Sequence, residues 1–175
     1  MGNSEFAEAH GDAAPGRREQ QRLGEAILEA RINDLDTYPA LVVPESASVG
    51  DAIRLMVERH VGAVLVVRDG RAIGIFSERD VMRRVVISGV GLERPVMDAA
   101  TPDPEMLGPD DNIAFALNRM VIGGYRHIPI VDDSGAPVAI LSQREIVSHI
   151  VSLLPARVLN LPPEPRLEAR SEDGG

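Results

Sequence analysis

Two serine–acid pairs with the same spacing offer the clearest chemistry in the chain. Ser77 lies three residues before Asp80, and Ser142 lies three residues before Glu145. In a capping box the serine caps a helix, and the acid at the third helical position accepts from the backbone N–H of that serine. The same groups present a hydroxyl and carboxylate oxygens that a polar ligand can use. Both interpretations, a structural cap and a ligand site, stay open at this point.

Catalytic and metal chemistry find little support in the residue types. The chain has no cysteine, and its histidines lack the spacing and the nearby acids of a metal site. Ser77 and Ser142 are the only serines in a motif of interest, and no histidine adjoins Ser77 in the sequence. An enzyme needs an activated nucleophile or a matched acid and base. We therefore expect no enzymatic activity, no metal site and no required cofactor.

The charge balance argues against nucleic acid and membrane as partners. All 18 basic residues are arginine, and 27 acids give a net charge of −9 over 175 residues. This composition lacks the basic surface of a nucleic-acid binder. The longest stretch without a formal charge is residues 146–156, whereas a membrane-spanning helix needs about 20 apolar residues. Since neither a signal sequence nor a cysteine is present, we expect a soluble protein of the cytoplasm.

The elements that must position the serine–acid pairs occur twice. Residues 49–81 align with residues 113–146 when Ser134 is treated as an insertion, and nine of the 33 aligned positions are identical. The two serine–acid pairs fall at equivalent places in this alignment. Such internal similarity indicates a duplicated structural unit.

Each copy predicts the same order of elements: a short strand, a helix, two strands and a second helix. Apolar residues at helical spacing mark the first helix, and they run over 49–57 and 113–121. Continuous apolar runs at 63–67 and 128–131 predict buried strands, and Asp-Gly or Ser-Gly turns lead into the next strand. Each second helix is expected to begin at the serine of its pair.

The same pattern divides the chain into four parts. We predict an N-terminal leader with an amphipathic helix at about 17–32, two repeats, and a C-terminal tail in which prolines prevent regular structure. These parts cover residues 1–36, 37–95, 96–154 and 155–175.

The repeat resembles a known family in its motifs as well as in its order of elements. The motifs are Gly-Ile-Phe-Ser-Glu-Arg-Asp-Val at 74–81, Arg-His-Ile-Pro-Ile-Val-Asp at 126–132 and Val-Met-Asp-Ala-Ala-Thr-Pro-Asp-Pro at 96–104. They are similar to those of the cystathionine β-synthase (CBS) domain, two copies of which form a Bateman module. Over residues 38–154 the resemblance implies an α/β (α+β) fold of two β-α-β-β-α CBS repeats. Pseudo-twofold symmetry would relate the repeats, with their sheets packed against each other.

The resemblance implies a stand-alone regulatory module that binds an adenosyl compound, AMP, ADP, ATP or S-adenosylmethionine, in a cleft between the repeats. In the family a Gly-hydrophobic-x-Ser/Thr-x-x-Asp signature marks a ligand site, and its acid accepts from two ribose hydroxyls. That signature falls on Ser77 and Asp80, and a carboxylate with two oxygens suits a vicinal diol. The second copy has Ala139 for glycine and Glu145 for aspartate. Ser142 and Glu145 are therefore expected to form the weaker site.

Further ligand contacts follow from the same resemblance. A basic pair before the second strand often contacts phosphate in the family, and Arg126 and His127 hold that position. The first copy has Gly62 and Ala63 there, so the two clefts are predicted to differ. The adenine is expected to lie against residues of the first strands, namely Val42, Val43, Met106 and Leu107. The basic pair can equally be a solvated strand start, and the sequence does not show whether Asp80 and Arg126 share a cleft.

Two classes of function therefore stand side by side. One is a ligand sensor that acts on an unknown regulated protein, and the other is a structural dimerisation or interaction module without a ligand. Met56 and Met120 lie on the apolar stripe of the first helices and are predicted core residues. The helix faces around them, together with the second helices, offer more apolar surface than one pair of sheets can cover. We therefore expect a homodimer, with the helix at 17–32 near its interface.

Overall fold

The computed structural model describes residues 15–154 of the chain. In chain order its helices and strands are α1 (Pro15–Glu29), β1 (Val42–Pro44), α2 (Val49–Arg59), β2 (Ala63–Arg68), β3 (Arg71–Ser77), α3 (Glu78–Asp80, continued as a π-helix over Val81–Ile87), β4 (Thr101–Pro102), α4 (Ile113–Gly123), β5 (His127–Val131), β6 (Pro137–Ser142) and α5 (Gln143–Ser152). The predicted tail at 155–175 lies outside the described residues. Among the helices described, none has the length and apolar character that crossing a bilayer requires.

Each repeat forms a small sheet whose edge strand comes from the other repeat. In the first sheet β2 lies between β1, to which it is parallel, and β3, to which it is antiparallel. The outer edge of β3 pairs with β4, which belongs to the lead-in of the second repeat. The second sheet pairs β5 with β6 and gains Leu107 on one side and Pro39, from the lead-in of the first repeat, on the other.

The registers of these pairings confirm the pseudo-twofold symmetry. Two sets of pairings correspond in the two sheets: Val43 with Val66 and Leu107 with Ile130, then Gly74 with Pro102 and Ala139 with Pro39. Val66 and Ile130, and likewise Gly74 and Ala139, are equivalent in the sequence alignment, and their partners lie in the lead-ins of the two repeats. The apolar runs at 63–67 and 128–131 are central strands, as predicted.

Each repeat has its own apolar core, and the sheets pack against each other through a third cluster. The third cluster holds Ala63, Leu65, Ala72 and Ile75 of the first sheet, with Val131 and Ile140 of the second packed against it. Met56 and Met120 lie in the cores of their own repeats, which confirms that prediction. Val57 and Val121 were expected on the same buried stripe, but they are 67% and 68% exposed. The buried stripe ends at the methionines because the sheet covers only one side of each helix.

The segment after α1 packs on the second repeat although it precedes the first. Ala30, Ile32 and Leu35 belong to the core of the second repeat. The backbone N–H of Ile32 donates to the carbonyl of Asp111 at 2.9 Å, and that of Ile113 donates to the carbonyl of Ala30 at 3.0 Å. The N-terminal segment therefore ties the two repeats together.

A pair of 3-10 turns extends the symmetry toward the N-terminus. Ile32–Asp34 precedes β1, and Val96–Asp98 precedes β4. Each turn follows a residue bridged to the N-cap of a first helix, since Arg31 pairs with Asn112 and Pro95 pairs with Ser48. This equivalence favours a first repeat that starts near Arg31, while the division at residue 37 stays a prediction.

Candidate functional site

A cleft of about 500 Å³ opens between the two repeats. Its volume falls within the range of roughly 300–1,000 Å³ that is typical of small-molecule sites. The polar side chains that line it are Ser77, Glu78, Arg79, Asp80, Arg83 and Arg84 of the first repeat, and Thr101, Asp103, Glu105, Tyr125, Arg126 and His127 of the second. The structure thus brings four of the predicted site residues, Ser77, Asp80, Arg126 and His127, to one cavity.

Asp80 divides its carboxylate between the helix cap and the cleft. The residue is 9% exposed and is the one charged residue in the buried class among those described. Its Oδ2 accepts from the backbone N–H of Ser77 at 3.0 Å and from the Ser77 hydroxyl at 2.6 Å. Its Oδ1 accepts from the Thr101 hydroxyl at 3.4 Å and lies 3.7 Å from Nε of Arg84. One oxygen therefore stabilises the start of α3, and the other faces polar groups of the cleft.

Ser77 reaches this position because it ends β3 in an extended conformation and α3 begins at the next residue. Its hydroxyl donates to Oδ2 of the Asp80 carboxylate. In the equivalent pair, the Ser142 hydroxyl accepts from the backbone N–H of Glu145 at 3.2 Å, and Glu145 Oε2 accepts from the backbone N–H of Ser142 at 2.6 Å. Both pairs are thus capping boxes, and the Ser77 hydroxyl in addition donates to the carboxylate of Asp80.

The second half of α3 adds two arginines that sequence reasoning missed. Arg83 and Arg84 lie in the π-helical segment that follows Asp80, three and four residues after it, and both line the cleft. Arg84 donates to the carbonyls of Ala99 (3.1 Å) and Ala100, which ties α3 to the lead-in of the second repeat. Arg83 is exposed and forms no ion pair within residues 15–154. The spacing from Asp80 was the available signal.

Arg126 and His127 approach the cleft from the second repeat. The helix α4 ends at Gly123, Gly124 follows it in the left-handed conformation, and β5 begins three residues later at His127. Arg126 is exposed, and across the described part of the chain no acid forms an ion pair with it. His127 is half-buried, and burial lowers its pKa although the nearby carboxylates of Glu78 and Glu145 act in the opposite direction.

The imidazole of His127 lies against the backbone of Gly62 in the first repeat. A Cβ atom on Gly62 would come within 3.1 Å of both Cε1 and Nε2 of the ring, which is closer than nearly all such contacts. Glycine at this position therefore lets a side chain of one repeat cross toward the other. The equivalent residue in the second repeat is Arg126, so no such opening exists there.

A fixed polar cluster forms another wall of the cleft. Arg119 donates to the two carboxylate oxygens of Glu105 at 2.6 and 3.0 Å, and the Tyr125 hydroxyl donates to the same carboxylate. The bonds from Arg119 and then Tyr125 lower the pKa of Glu105, while burial raises the pKa of Tyr125. A Cβ on Gly123 would collide with the Tyr125 ring. These residues have no polar counterparts in the first repeat, so the duplication gave no signal for them.

The other predicted site residues lie elsewhere. Val43 is buried in the core of the first repeat, and Leu107 is buried in that of the second. Val42 is exposed, and Met106 packs against the cluster between the sheets. None of these four lines the cleft that contains Asp80, and neither do Ser142 and Glu145. Their roles as ligand contacts stay predictions.

We also searched the described residues for possible metal ligands. Between residues 15 and 154, no three histidine or acidic side chains converge on a point that could hold a metal ion. The polar groups of the cleft are instead a mixture of guanidinium, carboxylate, hydroxyl and imidazole groups. Such a set suits a polar organic ligand that carries both hydroxyl donors and a negative charge.

Two solved structures have the same fold as this chain. CBSX2, solved in complex with AMP, has a TM-score of 0.62 and 26% identity, and the match covers 70% of this chain and 97% of that chain. A CBS domain protein from Pyrobaculum aerophilum, complexed with AMP, has a TM-score of 0.63 and 24% identity, and the match covers 70% and 99% of the two chains.

Sequence comparison agrees with the structural one. A CBS domain-containing protein of Arabidopsis thaliana, CBSCBSPB5, is 35% identical over 121 residues, which are 67% of this chain and 22% of that protein. This chain thus matches about a fifth of that relative's length. The family model of the CBS domain matches residues 32–87 and again residues 96–152. The chain belongs to the CBS domain family and carries two CBS domains in tandem.

Proposed function

We propose that this chain is a regulatory module that binds a phosphorylated adenosine ligand, AMP, ADP or ATP, in the cleft between its repeats. One observation carries the proposal: Asp80 of the first repeat and Arg126 and His127 of the second line the same cavity. A ribose-binding acid and a phosphate-binding pair are then available to one ligand. The AMP complex of CBSX2, a protein 26% identical to this chain, supports the ligand class.

The roles of the side chains follow from their chemistry. The Asp80 carboxylate accepts from ribose hydroxyls through Oδ1, whose contacts in the cleft are long, 3.4 Å to the Thr101 hydroxyl and 3.7 Å to Nε of Arg84. The guanidinium of Arg126 forks onto phosphate oxygens, and Arg83 offers a second free cation. These arginines favour a phosphate-bearing ligand over S-adenosylmethionine, whose sulfonium is itself a cation.

The proposal assigns no catalytic step to the chain. The ligand contacts come from both repeats, so its binding changes the balance of interactions between them. That change is what a partner protein would sense, since a ligand shifts an equilibrium only through its differential contacts with the two states. The regulated partner and the cytoplasmic location belong to the proposal as well.

A homodimer is part of the same proposal. The large apolar residues that remain exposed on the described helices are Leu28, Val57, Met82, Val86, Ile87, Phe115, Val121, Ile122, Val147 and Val151. The methionines on the first helices are buried, so these residues, rather than Met56 and Met120, form the surface that a second copy would cover. Light scattering at micromolar concentration should return twice the mass of the 18.8 kDa chain. The mass of a single chain would contradict the dimer.

A ligand-free structural module is the second candidate function. It is favoured by the bonds from Ser77 to Asp80 Oδ2, which complete a helix start without any ligand. The exposed apolar helix faces would serve it equally well. In that case the carboxylate at Asp80 is a scaffold group and nothing more.

Calorimetric titration of AMP, ATP and adenosine distinguishes the two functions. Asp80→Ala should bind each ligand about tenfold more weakly or worse, because a charge-assisted hydrogen bond contributes about 1.5–3 kcal/mol. Asp51→Ala is the matched control, since Asp51 Oδ2 accepts from the N–H and hydroxyl of Ser48 at 3.1 and 2.7 Å but lies outside the cleft. The control should keep full affinity. Equal affinities in the two variants, or no binding by the unmodified chain, would favour the structural module.

A further inference from the structure

We propose that His127 makes the nucleotide affinity of the cleft depend on pH, because its imidazole takes up a proton when a phosphate group binds beside it. The inference rests on the proposed function, since it concerns the regulation of the same cleft. It adds a property that neither the ribose-binding acid nor the arginines supply. Guanidinium groups keep their charge over the physiological range, whereas an imidazole changes its charge within it.

The side chain of His127 faces the cleft and is held in place by packing against the first repeat. The residue begins β5, where its backbone pairs with Ser142, and its side chain lines the cleft. The ring packs on Gly62, which leaves no space for a side chain between the two repeats. The imidazole is therefore held at the junction of the repeats, next to the arginine proposed to bind phosphate.

Four charged groups act on this ring from the elements around it. Glu78 and Arg79 of α3 and Glu145 of α5 face it, and Arg126 precedes it in the chain. The two acids favour the charged imidazole, and the two arginines oppose it. Burial is the largest influence and lowers the pKa, so the neutral form is favoured in the ligand-free cleft. A bound phosphate adds negative charge and reverses this balance.

The direction of the pH dependence follows from the pKa of His127 in the ligand-free and the phosphate-bound cleft. The imidazole has a higher pKa with phosphate bound than without it. Above the higher value it is neutral in both states and contributes no pH dependence, and below the lower value it is charged in both. Between the two, binding takes up a proton, so the affinity rises as the pH falls. Each pKa unit between the two states changes the affinity by a factor of about ten.

Titration of AMP into the full chain and into His127→Gln at about pH 8 and about pH 6 tests the inference. The phosphate of AMP itself titrates near pH 6, but it does so equally with both proteins. The AMP affinity of the unmodified chain, divided by that of His127→Gln, should therefore be about tenfold greater at the lower pH than at the higher one. Adenosine, which has no phosphate, should show a ratio that does not change. A constant ratio for AMP would overturn the inference.

A second measurement needs no variant. Calorimetry near pH 7 in two buffers of different ionisation enthalpy counts the protons taken up with AMP by the unmodified chain, beyond those of AMP itself. Net uptake is expected, and none would contradict the role of His127. If the unmodified chain binds no AMP at any pH, the proposed function fails. If it binds AMP with the same pH dependence as His127→Gln, only this inference fails.

Discussion

The two serine–acid pairs occupy equivalent positions in the repeats but make different bonds. Ser142 and Glu145 exchange two hydrogen bonds and complete the start of α5. Ser77 donates its hydroxyl to Asp80, whose other oxygen is turned toward Thr101 in the cleft. The same spacing thus makes a helix cap in one repeat and, in the other, a cap with an acceptor left for a ligand. A capping motif and a binding motif are not exclusive alternatives.

In the proposed ligand site, the two pairs differ in function because cations line the cleft of Asp80. Arg126 and His127 line the cleft of Asp80, and their counterparts in the first repeat are Gly62 and Ala63. Glycine and alanine provide no charge for a phosphate. The proposed site therefore combines Asp80 of the first repeat with Arg126 and His127 of the second.

The largest expected effect is a loss of stability when equivalent core residues of the two repeats are truncated. Phe76 and Leu141 are equivalent and fully buried. Phe76→Ala should lower the free energy of unfolding by about 3–5 kcal/mol and Leu141→Ala by about 2–5 kcal/mol, because each leaves a cavity. Chemical denaturation measures both. A cost below about 1 kcal/mol at either position would show that the two cores are not equivalent.

The cations of the cleft should affect binding rather than folding. Arg126→Ala should weaken AMP and ATP about tenfold, equal to about 1.4 kcal/mol, and leave adenosine unchanged, because the guanidinium meets only phosphate. Arg144→Ala is the control, since Arg144 is exposed and does not line the cleft. Calorimetric titration compares the variants. Weaker adenosine binding by Arg126→Ala would assign the residue another role.

The serines should separate the cap from the site. Ser142→Ala removes a side-chain cap and should lower stability by about 1 kcal/mol. Ser77→Ala also removes the bond from the serine hydroxyl to Asp80 Oδ2, so AMP affinity should fall as well, because only the backbone N–H then holds that oxygen in place. Melting curves and titrations of both variants measure the two effects. Identical behaviour of the two variants would remove the distinction between the pairs.

Much of the fold could be predicted because its signals are local and occur twice. The strand at 63–67 and the helix at Val49–Arg59 are marked by apolar periodicity, and each has a counterpart 64 residues later. The exchange of edge strands was not predictable, because the pairing of Pro39 with Ala139 joins residues far apart in the sequence. The exposure of Val57 was also missed, since periodicity does not show how far the sheet extends.

The candidate site also contains residues that the sequence predicted and residues that it did not. Asp80 and Arg126 were found because each lies in a short motif, but their meeting in one cleft depends on how two sheets pack. Glu105 and Tyr125 have apolar counterparts in the first repeat, and only the folded chain brings them to the wall of the cleft. Sequence motifs thus locate single groups, whereas the set that forms a cavity requires the tertiary structure.

The difference between the two pairs is tested most directly by titrating AMP into Asp80→Ala and Glu145→Ala. Both variants lose the acid of a helix cap, so their effects on folding are matched, and melting curves check this. We predict that Asp80→Ala loses about tenfold or more in AMP affinity, while Glu145→Ala retains the affinity of the unmodified chain. Equal losses in the two variants, or a loss confined to Glu145→Ala, would contradict a nucleotide site in the cleft of Asp80.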